Sequence, residues 1–194
     1  GNDVNIKVPG DVKLDDIVAD NTKLDVKGDI TQKDGTEIDS DKLDIKAKGD
    51  IGTKDDPIDM NVNEIDAKGK NVNINNKSDE LIVDKIKADK DVNINTEGSI
   101  NTKPNGSISG NNVSIDAVDD IGSKKNPINV KAKKKLHLES LRGYVYYNAP
   151  KTASSTNDWR LLVDPKTKIS VYGAFDKSAR IEVTSLVHYA ELTY

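Results

Sequence analysis

The 194-residue sequence has no cysteine, which excludes disulfide frameworks, thiolate zinc sites and thiol catalysis. It has no apolar run near the ~18 residues that a membrane-spanning helix requires, so we expect no direct insertion into a membrane. Lysine and aspartate alternate along the chain and the formal net charge is −4, so the basic stripe needed for nucleic acid is missing. We therefore expect a water-exposed protein that does not bind nucleic acid.

Aromatic side chains are also scarce: they make up 4% of the sequence, and residues 4–140 contain none. Those residues instead carry short segments in which Val, Ile or Leu alternates with Lys, Asp or Asn, among them VNIKV, KLDVK, KLDIKA, NVNIN, DVNIN and NVSIDA. Alternation with period two predicts β-strands, and no segment shows helical spacing of comparable strength. The sequence therefore predicts an all-β protein.

The strand-like segments return at a nearly constant interval. A turn or polar residue leads into an apolar residue at intervals of 18 to 23 residues, at Val12, Ile30, Ile51, Val72, Val92, Val113 and Leu136. Seven repeats of about 20 residues are typical of a solenoid, because one repeat is too short to bury its own apolar face. We predict a parallel β-solenoid of about seven coils over residues 1–143, with an antiparallel sandwich or barrel as the alternative.

One phrase, Asp-Ile-Gly-(Thr/Ser)-Lys-x-x-Pro-Ile, occurs at residues 50–58 and again at 120–128. Each copy has the residue types of a corner between strands: a carboxylate that can accept hydrogen bonds from turn amides, a glycine that permits positive φ, and a proline that directs the chain into the next strand. The pairs are Asp50 and Asp120, Gly52 and Gly122, and Pro57 and Pro127. A cation site is the alternative for the first copy, but the second copy has Lys124 and Lys125 in the loop, which would repel the ion.

The spacing of the two copies does not match the repeat. They lie 70 residues apart, about three and a half coils, so they fall on different sides of the rod unless one coil is longer. The segment most suited to a longer coil is 96–112, where Gly, Asn and Pro are frequent. The pattern leaves both explanations open.

The segments around the two copies resemble the repeat coils of filamentous-haemagglutinin-like adhesins, large secreted surface proteins of Gram-negative bacteria. They read KLDIKAKGDIGTKDDPIDMNV and VSIDAVDDIGSKKNPINVKA, and the resemblance covers about residues 4–140. It implies a right-handed parallel β-helix, secreted or on the cell surface as part of a larger chain. It also implies an adhesive or structural stalk role, with a host-surface protein or glycan as partner, and it supplies no catalytic residue.

Residues 144–194 depart from the repeat and contain the aromatic residues. We predict degenerate coils or an irregular β-rich cap here, because the end of a solenoid exposes strand edges that must be covered. The rings could close the apolar end of the core or offer a stacking surface to a sugar. This candidate ligand surface consists of Tyr144, Tyr146, Tyr147, Trp159 and Tyr172.

Few groups suited to catalysis are present. The chain has two histidines, His137 and His188, and neither a Gly-x-Ser-x-Gly elbow nor a phosphate loop. Asp, Lys and Asn are spread over all the repeats, as on a solvated face. We therefore expect no catalysis, metal or cofactor. The alternatives are a β-helix polysaccharide lyase or glycoside hydrolase, and a carbohydrate-binding module that uses the aromatic cluster.

Overall fold

Parallel strands make up the regular structure of this chain. The computed structural model describes residues 2–149, 158–163, 169–173, 180–184 and 190–193. Within these residues there are sixteen strands and no helix. The strands are β1 (Asp3–Val8), β2 (Val12–Leu14), β3 (Ile17–Val26), β4 (Ile30–Gln32), β5 (Ile38–Ala47), β6 (Ile58–Gly69), β7 (Val72–Asn76), β8 (Glu80–Ala88), β9 (Asp91–Thr96), β10 (Ser99–Ala117), β11 (Val130–Ser140), β12 (Val145–Ala149), β13 (Asp158–Val163), β14 (Ile169–Gly173), β15 (Arg180–Thr184) and β16 (Ala190–Thr193).

The coils stack in register, which creates columns of equivalent residues along the rod. One column of backbone partners contains the seven positions that the sequence period predicted: Val12, Ile30, Ile51, Val72, Val92, Val113 and Leu136. All strand pairs along it are parallel. The prediction of an all-β parallel solenoid of about seven coils is therefore confirmed, and the antiparallel alternative is wrong.

The core is a narrow stack of aliphatic side chains. In a second column six successive coils each contribute one residue that is at most 1% exposed: Leu24, Ile45, Ala67, Ile86, Ile108 and Val130. Each of these side chains lies directly above its equivalent, about 4.8 Å away along the axis, so that aliphatic side chains of neighbouring coils pack on one another. One coil alone would leave this apolar face in water, and stacking is what removes it.

Three buried polar side chains replace strand pairing where the coil departs from the regular path. Gln32, which is 4% exposed, accepts the backbone N–H of Asp59 at 2.8 Å and donates to its carbonyl oxygen at 3.2 Å. Asn76 accepts the backbone N–H of Val62 at 2.9 Å, and Ser78 Oγ donates to the carbonyl oxygen of Val62 at 2.8 Å. These backbone groups are thus satisfied without a partner strand.

The two copies of the repeated phrase lie in different columns. Ile51 pairs with Ile30 and Val72, whereas Ile121 pairs with Ile100 and Val145. The coil of β10 is also longer than its neighbour, as the segment 96–112 suggested. Residues 102 and 107 of β10 pair with residues 83 and 85 of β8. The chain therefore advances five residues in β10 where it advances two in β8, an excess of three residues. Both explanations of the misfit therefore apply.

Parallel pairing continues beyond residue 143. Leu136 pairs with Trp159, which pairs with Ile181, so that β13 and β15 extend the first column by two levels. Val145 pairs with Ile169 of β14, and β16 pairs with β14 in turn. These backbone pairings are those of further coils. The predicted capping role of the side chains that follow lies outside the described residues.

Candidate functional site

Polar side chains at one corner of the rod bind each coil to the next. Six successive coils place an Asp or Asn immediately before the apolar residue of the first column: Asp11, Asp29, Asp50, Asn71, Asp91 and Asn112. In each neighbouring pair, Oδ1 of the earlier residue accepts the backbone N–H of the later one, at distances of 2.7 to 3.3 Å. We call this set the corner ladder. It satisfies backbone donors at a bend where the strand hydrogen bonds are interrupted.

The first Asp-Ile-Gly corner is part of this ladder. Asp50 Oδ1 accepts both the backbone N–H of Asn71, at 3.2 Å, and its side-chain Nδ2, at 2.9 Å. The sequence suggested donors within the turn, but these donors belong to the next coil. Gly52 has a φ of +58° and donates its N–H to the carbonyl oxygen of Ile30 at 2.9 Å, while Pro57 lies just before β6.

The second corner repeats this arrangement in its own column. Asp120 Oδ1 accepts the N–H of Tyr144 at 2.6 Å. Gly122 has a φ of +73° and donates to the carbonyl oxygen of Ile100 at 2.7 Å, and Pro127 precedes Ile128. Both copies thus join one coil to its neighbours through the same backbone contacts.

Asp50→Ala is expected to destabilise the rod by about 1–2 kcal/mol, because two donors of Asn71 lose their acceptor while half-buried. Asp50→Asn keeps an Oδ1 acceptor and should lie within about 0.5 kcal/mol of the wild type. Urea denaturation followed by circular dichroism measures both variants. Equal losses for Ala and Asn would show that the charge of Asp50, and not its acceptor oxygen, is what matters.

The structure separates the residues of the candidate ligand surface. Tyr147 is 1% exposed, and its hydroxyl lies 3.5 Å from the carbonyl oxygen of Val130, so its ring belongs to the core. Burial raises the pKa of Tyr147 well above its usual range. Tyr144 is 38% exposed, and its ring centroid lies 5.8 Å from that of the half-buried Tyr146. The side chains of Trp159 and Tyr172 lie outside the described part of the structure.

A charge network joins three coils on another face. Glu64 Oε1 accepts from Lys103 Nζ at 2.6 Å and from Lys42 Nζ at 2.7 Å. The hydrogen bonds from Lys103 and Lys42, in that order, hold the pKa of Glu64 below its usual value. Because the folded pKa is lowered, the network stabilises the fold above the unfolded pKa of about 4.3, and this contribution is lost as the pH falls through the folded value.

Glu64→Gln is therefore expected to lower stability at pH 7 by no more than about 1 kcal/mol, since both lysines lie at the surface, where water screens the pairs. The difference from the wild type should shrink as the pH falls below about 4.3 and vanish only below the lowered folded pKa of Glu64. Chemical denaturation at a series of pH values measures this, with the exposed Glu97→Gln as the control. A difference that persists at low pH would assign the effect to packing.

A histidine and two carboxylates meet on the outer face where β10 lies beside β11. His137 Nε2 lies 2.9 Å from Asp116 Oδ1 and 3.3 Å from Glu139 Oε2. The three ligand atoms all lie within 4.8 Å of one another. The hydrogen bond to Asp116 raises the pKa of His137 above its ordinary value, against the opposing effect of partial burial. We call Asp116, His137 and Glu139 the histidine cluster.

The histidine cluster borders an open cleft of about 550 Å³. One wall of the cleft is a column of Asn75, Asn95, Asp116 and Glu139, which are successive backbone partners. Asn95 Nδ2 donates to Asn75 Oδ1 at 2.8 Å, and Asn75 Nδ2 donates to Asp59 Oδ1 at 3.0 Å. The side-chain amides of Asn75 and Asn95 are therefore followed in this column by the carboxylate of Asp116.

The sequence patterns did not reveal the histidine cluster, although two signals were present. Period two places His137 and Glu139 on the same outer face. Coil stacking pairs Glu139 with Asp116 and His137 with Ser114, so Asp116 lies diagonally below His137. Regarding His137 as a lone surface residue overlooked this carboxylate in the coil below. A search for polar residues related both by the strand period of two and by the coil period would have found the cluster.

No family model, curated protein or solved structure matches this chain. A membrane-spanning helix is likewise not found among the described residues.

Proposed function

We propose that this chain is a rigid stalk segment of a secreted or cell-surface filamentous adhesin of a Gram-negative bacterium, and that it acts without catalysis. The observation that carries the proposal is the unbroken parallel register of the first column, from Val12 to Leu136. A structure in which one apolar column repeats from coil to coil is suited to holding other parts of a larger chain at a distance.

The outer polar groups support a structural role because many are used between coils. Asn93 Nδ2 donates to Asn73 Oδ1 at 2.7 Å, and the corner ladder uses one side-chain oxygen per coil. Side chains held in this way have fewer donors and acceptors left for a ligand. They also resist the sliding of one coil on the next.

The number of coils paired along the first column gives the length of the proposed spacer. The first column has nine members from Val12 to Ile181, and eight steps of about 4.8 Å correspond to a rod segment of about 38 Å. Small-angle scattering at several concentrations tests whether the particle is elongated in solution. A compact sphere of the same mass would contradict the proposal.

Binding assays separate a stalk from an adhesive module. The purified chain is screened on a glycan array and against host-matrix proteins, and a stalk segment is expected to give no saturable signal. Saturable, selective binding would overturn the spacer role in favour of adhesion. Tyr144→Ala would then test whether the exposed tyrosine contributes. Turnover of a polyuronide or related polymer would overturn both roles.

A further inference from the structure

We propose that the histidine cluster, Asp116, His137 and Glu139, binds one divalent first-row transition cation, with zinc as the reference ion. The site goes beyond the stalk function and does not depend on it. It also departs from the expectation, based on residue counts alone, that the chain has no metal site.

The distances between the ligand atoms fit a coordination sphere. With metal–ligand bonds of about 2.0–2.2 Å, neighbouring ligands lie about 3.0 Å apart in an octahedron and about 3.4 Å apart in a tetrahedron. The two measured separations from His137 Nε2 are 2.9 Å to Asp116 and 3.3 Å to Glu139. The third separation, between the Asp116 and Glu139 oxygens, is no more than 4.8 Å. Side-chain rotations that bring these two oxygens together would therefore let an ion enter without movement of the strands.

A proton on His137 satisfies this arrangement less well than a cation does. Nε2 carries at most one hydrogen, which must be shared between two acceptors here, because two carboxylate oxygens lie within 3.3 Å of it. A metal ion on the Nε2 lone pair would bind both carboxylates at once. It would also offset the repulsion between Asp116 and Glu139.

The surroundings supply the other features of a binding site. Ser114 Oγ donates to Asp116 Oδ2 at 3.4 Å, a weak contact that orients the carboxylate from outside the coordination sphere. The open cleft beside Asp116 and Glu139 admits water to complete the coordination.

The donor set selects the class of ion. Imidazole nitrogen favours zinc, copper, nickel and iron, whereas calcium and magnesium prefer sites made of oxygen alone. One nitrogen and two carboxylate oxygens therefore favour zinc over calcium. Because the ligands come from β10 and β11, a bound ion would also cross-link two neighbouring coils.

Zinc titration of the full chain, freed of metal by a chelator, tests the site. Isothermal calorimetry is expected to show one zinc per chain, and His137→Ala should weaken the affinity at least roughly tenfold. Asp116→Asn keeps the side-chain shape and should weaken it similarly. Zinc should raise the melting temperature of the wild type and not that of His137→Ala, and calcium should not replace zinc at equal concentration.

Two control variants make the result specific. His188→Ala removes the other histidine, and Asp59→Asn removes a carboxylate from the same face away from the cluster. Both should bind zinc as the wild type does. Absence of zinc binding, affinity unchanged in His137→Ala, or loss of binding in His188→Ala would each overturn the proposal. Circular dichroism of every variant confirms that the fold is retained.

Discussion

Replacement of Ile65 by Asp is expected to unfold the middle of the rod. Ile65 is fully buried and lies between its backbone partners Leu43 and Val83, which are also fully buried. The substitution removes apolar contacts to both neighbouring coils and places a carboxylate where no partner for it is present. The two effects together should cost more than about 4 kcal/mol, a large part of the 5–15 kcal/mol that stabilise an ordinary domain.

Asp66→Asn is the matched control for this change. Asp66 is the next residue and lies half-exposed on the opposite side of the strand. Partial burial raises the pKa of Asp66, so ionising this carboxyl costs more in the fold than in the unfolded chain. Loss of that charge should leave the stability unchanged or slightly higher. Urea denaturation and thermal melting measure both variants, and similar losses at positions 65 and 66 would contradict the observed alternation.

Gly122→Ala is expected to destabilise the fold by about 3 kcal/mol through two separate effects. Its φ of +73° lies in the left-handed region that side chains disfavour. A methyl group there would also lie 2.4 Å from the carbonyl oxygen of Tyr146 and 2.6 Å from the backbone nitrogen of Ile128. These are backbone atoms of the next coil and of the same corner, so relief requires the coils to separate.

Two further glycines separate the backbone effect from the steric one. Gly35 has a φ of +75° but no atom within 4 Å of an added methyl, so Gly35→Ala should cost only about 1 kcal/mol. Gly10 has neither constraint, and Gly10→Ala should be neutral or slightly stabilising. Chemical denaturation of the three variants should rank them in this order. A Gly122→Ala variant as stable as Gly35→Ala would show that the second corner is not closely packed.

The strands, their alternation and the coil period could be read from the sequence because each is a one-dimensional pattern repeated many times. Ile30, Ile51 and Val72 are separated by 21 residues each time, and a spacing of 18 to 23 residues recurs in the other coils. The glycine corners could be read as well, since the residue types of a sharp turn are local. A local pattern can be recognised even when the assumed coil length is slightly wrong.

The side-chain contacts between coils were decided only by the tertiary structure, because they depend on the length of every coil in between. The three extra residues in β10 help determine the column in which Ile121 lies. The sequence phrase that occurs twice did not by itself determine this column. The contact of His137 with Asp116 also depends on the lengths of the coils. Tyr147 lies in the core because its strand follows the inward alternation of Val145, whereas the sequence left both a core position and a ligand-surface position open for this ring. Sequence alone therefore determined what kind of coil this chain forms, and the stacking of unequal coils determined which side chains meet.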